Sequence, residues 1–357
     1  MVGGRLTTWS LCVATAAAAA CGCSSGAGGG FDPSIAPPAA APAALCGVAG
    51  VVAQPMLWGL ELTVDGGQVY YTAYGAGADG HDHQLWSAPV GGGEPTLVWQ
   101  GPSGILGSGL RIVDGRAFFS GQLAWGTADE GVLSVPLAGG AARVEAHFPT
   151  GCAAYGGVAA DDAYVYAAAN GCAEGAGAIV AVPRAGGAAR TLWTGDGPWA
   201  GAAAIAAGGG TLYFLQDDDD DGDGAAMKLD ASGHATPLSL TTSHEATALA
   251  ADATGAWVTA GDTLVHVPAD GSAPVTLATH LAHPSLVAVD PSGAYVVTGT
   301  LDDGAVGTVV LVPRDPGGTP QVLAAGQPAI FALALDGDAV YWASQTGAIV
   351  ARAGKCD

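Results

Sequence analysis

Apolar residues in this chain fall into short runs separated by Gly, Pro and Asp. One kind of run is a pair or triplet of aromatic or β-branched residues. It recurs as Val69-Tyr70-Tyr71, Ala117-Phe118-Phe119, Tyr164-Val165-Tyr166, Leu212-Tyr213-Phe214, Ala256-Trp257-Val258, Ala294-Tyr295-Val296 and Val340-Tyr341-Trp342. The shortest step, Trp257 to Tyr295, is 38 residues, and the longest, Tyr70 to Phe118 and Val165 to Tyr213, are 48. Each run follows an alternating segment that ends in a turn, such as "LELTVDGG", "LRIVDG", "ALAADATG" or "LVAVDPSG". After a variable loop comes a third apolar run, as in "VLSVPLAGG", "IVAVPRAGG" and "VVLVPRDPGG". Most units close with a fourth, such as "PTLVW", "RTLW" or "QVLA". Period-2 or continuous apolar runs bounded by turn residues predict strands.

Four antiparallel strands per unit predict a meander that cannot bury both faces alone, so neighbouring units must stack. Closing the stack radially leaves only short edges. The expectation is an all-β, seven-bladed β-propeller of four-stranded antiparallel blades over residues 45–357, with six or eight blades as alternatives. The last unit, "LDGDAVYWASQTGAIVARAG", holds only three strands. The N-terminal segment "LCGVAGVVAQ" is expected to supply the fourth, which would bring Cys46 beside Cys356; the alternative is a free terminal thiol. A bond there closes a loop of most of the chain, with an effect of order 4–5 kcal/mol. Cys152 precedes the first strand of the third unit and Cys172 follows its second. In an antiparallel pair these positions share one rim, so a second disulfide is expected.

The order apolar-x-Val-Asp, Tyr-Trp, Ile-Val-x-Val-Pro, Gly-Gly resembles the YWTD and NHL propeller families, most closely in "LALDGDAVYWASQTGAIVARAG". The resemblance implies architecture. Those families host hydrolases, lyases, receptors and scaffolds alike. The full Tyr-Trp-Thr-Asp motif is absent, with "YYTA" and "YWAS" the nearest forms, so no catalytic residue carries over.

Charge narrows the partners. Lys+Arg number 10 against 32 Asp+Glu, a formal net charge of −22, which argues against nucleic acid and anionic membrane surfaces. The start of the chain reads as an export signal over 1–20, with Arg5 ahead of an apolar run too short to span a bilayer. It ends in "AAAACGCSSGAGGG", which resembles the bacterial lipoprotein cleavage box; Ala18 stands where Leu is usual, and a plain signal peptide is the alternative. The resemblance implies lipidation of Cys21, with Cys23 the alternative, a Gly/Ser/Pro/Ala tether over 21–44, and an outer-membrane protein facing the periplasm or the surface. Leaving the signal and tether aside, four cysteines remain, an even number suited to disulfides in an oxidising compartment.

Loops before the first and after the second strands share one face and are the longer ones, so sites are expected there. The most acidic is "QDDDDDGDGAAM". Asp217, Asp219, Asp221 and Asp223 repel one another, and Ca²⁺ binding would relieve this. Position twelve of a calcium loop would be Lys228 or Asp230, so this is not an EF-hand; a solvated loop tip is the alternative. Tyr155, Trp199, His244, Glu245 and His283 enter the first strands and could form a polar ligand pocket, or simply pack the rim between blades. In "DGHDHQLW", His81 and His83 would share a strand face; exposed loop positions are the default, with a shared transition metal the alternative.

The functional expectation is a non-enzymatic, membrane-tethered binding or scaffold module, monomeric, presenting an acidic loop face to a protein or glycan. The alternative is a metal-dependent propeller hydrolase or lyase, which would need Glu, Asn, Asp or His converging on the channel, where the inner strands are poor in them.

Overall fold

The computed structural model describes residues 50–53, 59–74, 83–101, 107–122, 130–170, 172, 177–195, 201–217, 224–240, 246–299, 306–337, 339–344 and 349–354. These form 28 β-strands. Meander I is β2 (Gly59–Asp65), β3 (Gln68–Tyr74), β4 (His83–Pro89) and β5 (Thr96–Gln100). Meander II is β6 (Gly107–Val113), β7 (Arg116–Gln122), β8 (Glu130–Pro136) and β9 (Arg143–His147). Meander III is β10 (Ala153–Ala160), β11 (Tyr164–Asn170), β12 (Ala178–Pro183) and β13 (Arg190–Thr194). Meander IV is β14 (Gly201–Gly208), β15 (Thr211–Asp217), β16 (Gly224–Leu229) and β17 (Ala235–Pro237). Meander V is β18 (Ala246–Asp252), β19 (Gly255–Ala260), β20 (Thr263–Pro268) and β21 (Val275–Ala278). Meander VI is β22 (Pro284–Asp290), β23 (Gly293–Thr298), β24 (Val306–Pro313) and β25 (Gln321–Pro328). Meander VII is β26 (Ile330–Asp336), β27 (Ala339–Ser344) and β28 (Ile349–Gly354), completed by β1 (Gly50–Ala53). Meanders IV and V join into one eight-stranded sheet through the pair Gly224↔Ala246.

The strand from the start of the chain therefore completes the sheet at its end. β1 runs antiparallel to β28, with Gly50 opposite Arg352 and Ala53 opposite Val350. Cys46 and Cys356 lie outside the described residues. The first strands pack in sequence: β2 on β6, β6 on β10, β10 on β14, β14 on β18, β18 on β22, β22 on β26, and β26 back on β2.

The apolar core is divided among the interfaces between meanders. Tyr71 packs with Tyr341 between VII and I, Phe214 with Ile179 between III and IV, and Trp342 with Tyr295 between VI and VII. This explains the consecutive aromatics. A second strand is covered on both faces, so both of its alternating side-chain rows must be apolar. In β27, Tyr341 faces one interface and Trp342 the other. The outer strands β5, β9 and β13 are mostly exposed or half-buried, which is why their apolar signal is the weakest.

Two arginines bind one meander to the one before it. In the third-strand exits "VPR" of III and VI, the guanidinium reaches back in the same way. Arg184 donates to both carboxylate oxygens of Asp114 at 3.0 and 2.8 Å and to the Asp161 carbonyl at 2.7 Å. Arg314 donates to the Asp252 carboxylate and, at 2.9 Å, to the Asp290 carbonyl, and stacks 4.9 Å over the Trp257 ring. Burial pushes the Asp252 carboxyl up, but donors from Thr254 and Arg314 outweigh it and hold the pKa below the usual value. Arg314→Met keeps the contact with Trp257 while removing the fork. The expected loss is about 1–2 kcal/mol, discounted for partial exposure, seen as a lower melting temperature. Arg184→Met, whose partner Asp114 is much more exposed than Asp252, should shift the melt less. Equal shifts would remove the distinction between the two clamps.

Candidate functional site

Every meander carries a register shift between its first and second strands near the long-loop end. The irregularities fall between Gly59 and Leu62, Ser108 and Arg111, Ala153 and Gly156, Ala202 and Ala204, Ala246 and Ala248, Pro284 and Leu286, and Ile330 and Ala332. An extra residue in one strand is a β-bulge, which re-aims a side chain. The bulges therefore place one re-aimed layer around the first strands. The positions in that layer include Glu61, Tyr155, Thr247 and Ser285.

Bulge residues make contacts between neighbours. Thr247 Oγ1 donates to the Pro284 carbonyl of the next meander at 2.7 Å and lies 2.9 Å from Thr259 Oγ1. Glu61 Oε1 accepts from the Gly109 amide at 3.1 Å. The Ser285 hydroxyl is buried and has no hydrogen-bond partner. A buried hydroxyl left unpaired is costly, and this one belongs to a residue that lines a cleft.

The cleft opens between meanders V and VI with a volume of about 860 Å³. Thr247, Ser285 and Pro284 belong to the first strands. Gly261 and Asp262 come from the β19–β20 turn, Gly299 from the end of β23, and the segment His280–His283 links β21 to β22. These are the connections before first strands and after second strands. The linking segment is fixed at its ends: the Leu281 amide donates to the Asp262 carbonyl at 2.8 Å, and Gly299 donates to the Ala282 carbonyl at 2.8 Å. His280 and His283 both adopt left-handed backbone, with φ of 61° and 49°. For residues other than Gly such strain clusters at functional sites. His280 Nδ1 lies 3.3 Å from Asp262 Oδ2, leaving Nε2 free to face the cleft or solvent. Leu281 and Pro284 are buried and form apolar floor. The site can hold a small molecule by its apolar body and read polar groups at the rim.

Of the residues expected to bind ligand, His283 is exposed on this cleft. Tyr155 belongs to β10, which packs between β6 and β14, away from β22. Trp199, His244 and Glu245 lie outside the described residues, as do Cys21, Asp219, Asp221 and Asp223. Asp217 ends β15 opposite Gly224, so the acidic segment connects two paired strands. Among the described residues no group of three or more His, Cys, Asp or Glu could hold a metal ion. Cys152 and Cys172 are joined in a disulfide on the same rim as the long loops.

One expectation is corrected. His83, read as an exposed loop residue or a metal ligand, opens β4 with 1% exposure. Its ring meets Phe119 edge-on at a centroid distance of 5.5 Å and Trp99 at 6.4 Å. Burial in this aromatic slot lowers its pKa to about 4. Placing it in the loop was an error of strand boundary, since Tyr74↔His83 is the last pair of the β3–β4 ladder. Sequence reading also missed Ser285, Thr247, Asp262 and His280; the only signal was two histidines in "THLAHPS", ahead of an ordinary first strand.

No protein-family profile matches this sequence, and no curated protein matches it. Solved structures do. Virginiamycin B lyase from Staphylococcus aureus is similar over 86% of this chain and 98% of its own, at 13% identity and a TM-score of 0.63. The WD40 β-propeller domain of Doa1 is similar over 86% and 96%, at 12% identity and 0.60. Oligogalacturonate lyase from Vibrio parahaemolyticus is similar over 86% and 91%, at 11% identity and 0.60. The chain has a β-propeller fold.

Proposed function

We propose that this chain is a seven-bladed β-propeller, each meander one blade, with the last blade completed by β1. It works as a non-enzymatic binding module of the bacterial envelope. The reading places a signal over 1–20, lipid on Cys21, a tether over 21–44 and a Cys46–Cys356 link beside the β1–β28 pair. It takes a protein or glycan partner on the long-loop face, works as a monomer, and has Ca²⁺ ordering Asp217, Asp219, Asp221 and Asp223. The observation that carries the binding role is the cleft between meanders V and VI, whose lining brings together the His280–Asp262 pair, strained His283 and the first-strand residues Thr247 and Ser285.

A second reading has its own support. His280 Nδ1 lies 3.3 Å from Asp262 Oδ2 at the cleft rim, an imidazole–carboxylate contact of the kind used in acid–base chemistry; the competing class is a metal-dependent hydrolase or lyase. Virginiamycin B lyase and oligogalacturonate lyase are enzymes by name, and at 11–13% identity they support the fold alone.

The deciding experiment uses Ala282→Trp, which fills the cleft from an exposed position without touching the core. Wild type and variant are compared for retention of isolated envelope glycans and envelope proteins, with and without Ca²⁺. The binding reading expects retention by wild type, loss in the variant with an unchanged melt, and a Ca²⁺-dependent rise in melting temperature. Retention by both proteins overturns the role of the cleft. Metal-dependent cleavage of a retained glycan gives the case to the enzyme.

A further inference from the structure

The cleft between meanders V and VI lies in a stretch of one-sided charge. Between Lys228 and Arg314 the sequence contains no Lys or Arg, and eight Asp or Glu. Arg314, which ends the stretch, is held by Asp252 at the β18–β19 turn, the opposite end of β19 from Asp262. A field of one sign raises the encounter rate of the opposite charge and turns away its own.

Asp262 supplies the carboxylate at the cleft rim, and its side chain is 52% exposed. The Leu281 amide donates to the Asp262 carbonyl at 2.8 Å, which sets the buried Leu281 beside that residue. Leu281, Ala282 and Pro284 make the apolar part of the lining. An apolar floor that ends at a carboxylate fits a side chain built in the same order. Lys and Arg have that form, since their methylene stems lie along apolar surface while the charged head stays at its wet edge. Among the described lining residues there is no Phe, Tyr or Trp to stack a sugar ring, and no Lys or Arg to take an acidic one. A cleft of about 860 Å³ has room for such a side chain together with its neighbours in a peptide.

We propose that the cleft takes a protein segment presenting Lys or Arg, its stem along Leu281 and Pro284 and its cation at the Asp262 carboxylate. This rests on the cleft being the binding site, and it chooses a protein over a glycan. His280, whose Nδ1 lies 3.3 Å from Asp262 Oδ2, shares the carboxylate with the incoming cation. The floor supplies the area that binding buries, and the rim charge selects the partner.

Fluorescence anisotropy on the intact chain tests this with end-blocked peptides Ala-Leu-Xaa-Leu-Ala carrying an uncharged dye, where Xaa is Lys, Arg, Gln or Glu. The Lys and Arg peptides should bind roughly tenfold tighter than the Gln peptide, with the Glu peptide weakest. Asp262→Asn should bring the Lys peptide to the level of the Gln peptide with an unchanged melt. Ala282→Trp should remove binding of all four. A Lys preference that survives either substitution is general attraction to a chain of net charge −22, and overturns the proposal. Binding that ignores Xaa but is lost in Ala282→Trp overturns the cation while leaving the cleft standing, so the two failures are distinguishable. Butylammonium competing as well as the Lys peptide overturns the protein partner in favour of a small amine. Binding of no peptide by wild type overturns the proposal outright. Should Asp262→Asn fail to fold, salt decides: the gap between Lys and Gln should narrow as salt rises, and a gap that salt leaves unchanged overturns the role of the carboxylate.

Discussion

Gly156→Ala is expected to destabilise the protein by about 3–5 kcal/mol, the upper end of single-substitution effects, and to lower the melting temperature by roughly 10 °C. A Cβ at Gly156 would stand 2.0 Å from the Ala202 carbonyl oxygen and 2.8 Å from the Ala168 Cβ. The first of these is main chain of β14 in the next meander. Neither neighbour is the flexible end of a long side chain, so relief requires β10 and β14 to move apart. Gly109 makes the same close approach, to the Val158 amide of β10 at 2.2 Å. These glycines allow bulged first strands to lie against each other. Gly186→Ala is the control. Gly186 has φ of 83° and open space around it, so alanine there meets only backbone strain, about 1 kcal/mol. Melts within a degree or two of each other would mean that first strands do not approach this closely.

Acid should weaken the fold through His83. In the folded chain its imidazole stays neutral down to about pH 4, because the slot between Trp99 and Phe119 excludes water. In the unfolded chain it takes a proton near 6.5. Between these values the unfolded state binds more protons, so stability rises with pH and falls as pH drops. The full interval corresponds to about 3 kcal/mol. Below about pH 4 this contribution is constant. His266, whose pKa is also lowered by burial, adds in the same direction; Glu61, pushed up by burial, opposes it. The carboxyls held low, Asp161 and Asp252 among them, lose their stabilisation only below the ordinary carboxylate range. The comparison is therefore between wild type and His83→Leu, by denaturant titration at several pH values. His83→Leu should flatten the slope between pH 6.5 and 4, whatever it does to absolute stability. Parallel slopes would show that His83 is not protonated on unfolding in that window.

Much of the strand order was legible because it is written in neighbouring residues. Face alternation, the Val-Asp-Gly turns and the Val-Pro-Gly-Gly exits each depend on a few adjacent side chains, and all reappear as paired strands. The two-sided aromatic runs signalled second strands packed on both faces, as Tyr341 and Trp342 are. The sites were much less legible. The bulge at Ser285 leaves no mark in composition, since one extra residue shifts the pairing without altering which residue types are present. His83 was misplaced because the end of a strand is set by its partner, here Tyr74, and not by its own sequence.

What the chain determines by itself is local: which segments are strands, where they turn, which rows of side chains must be covered, and that the final unit lacks a strand. The tertiary structure decided which residues meet across units. Arg314 finds Asp252 from 62 positions away, Glu61 finds Gly109 from 48, and Thr247 finds Pro284 from 37. Each meeting depends on how one meander is rotated and bulged against the next. That arrangement is fixed by packing over the whole interface, and no short stretch of sequence contains it.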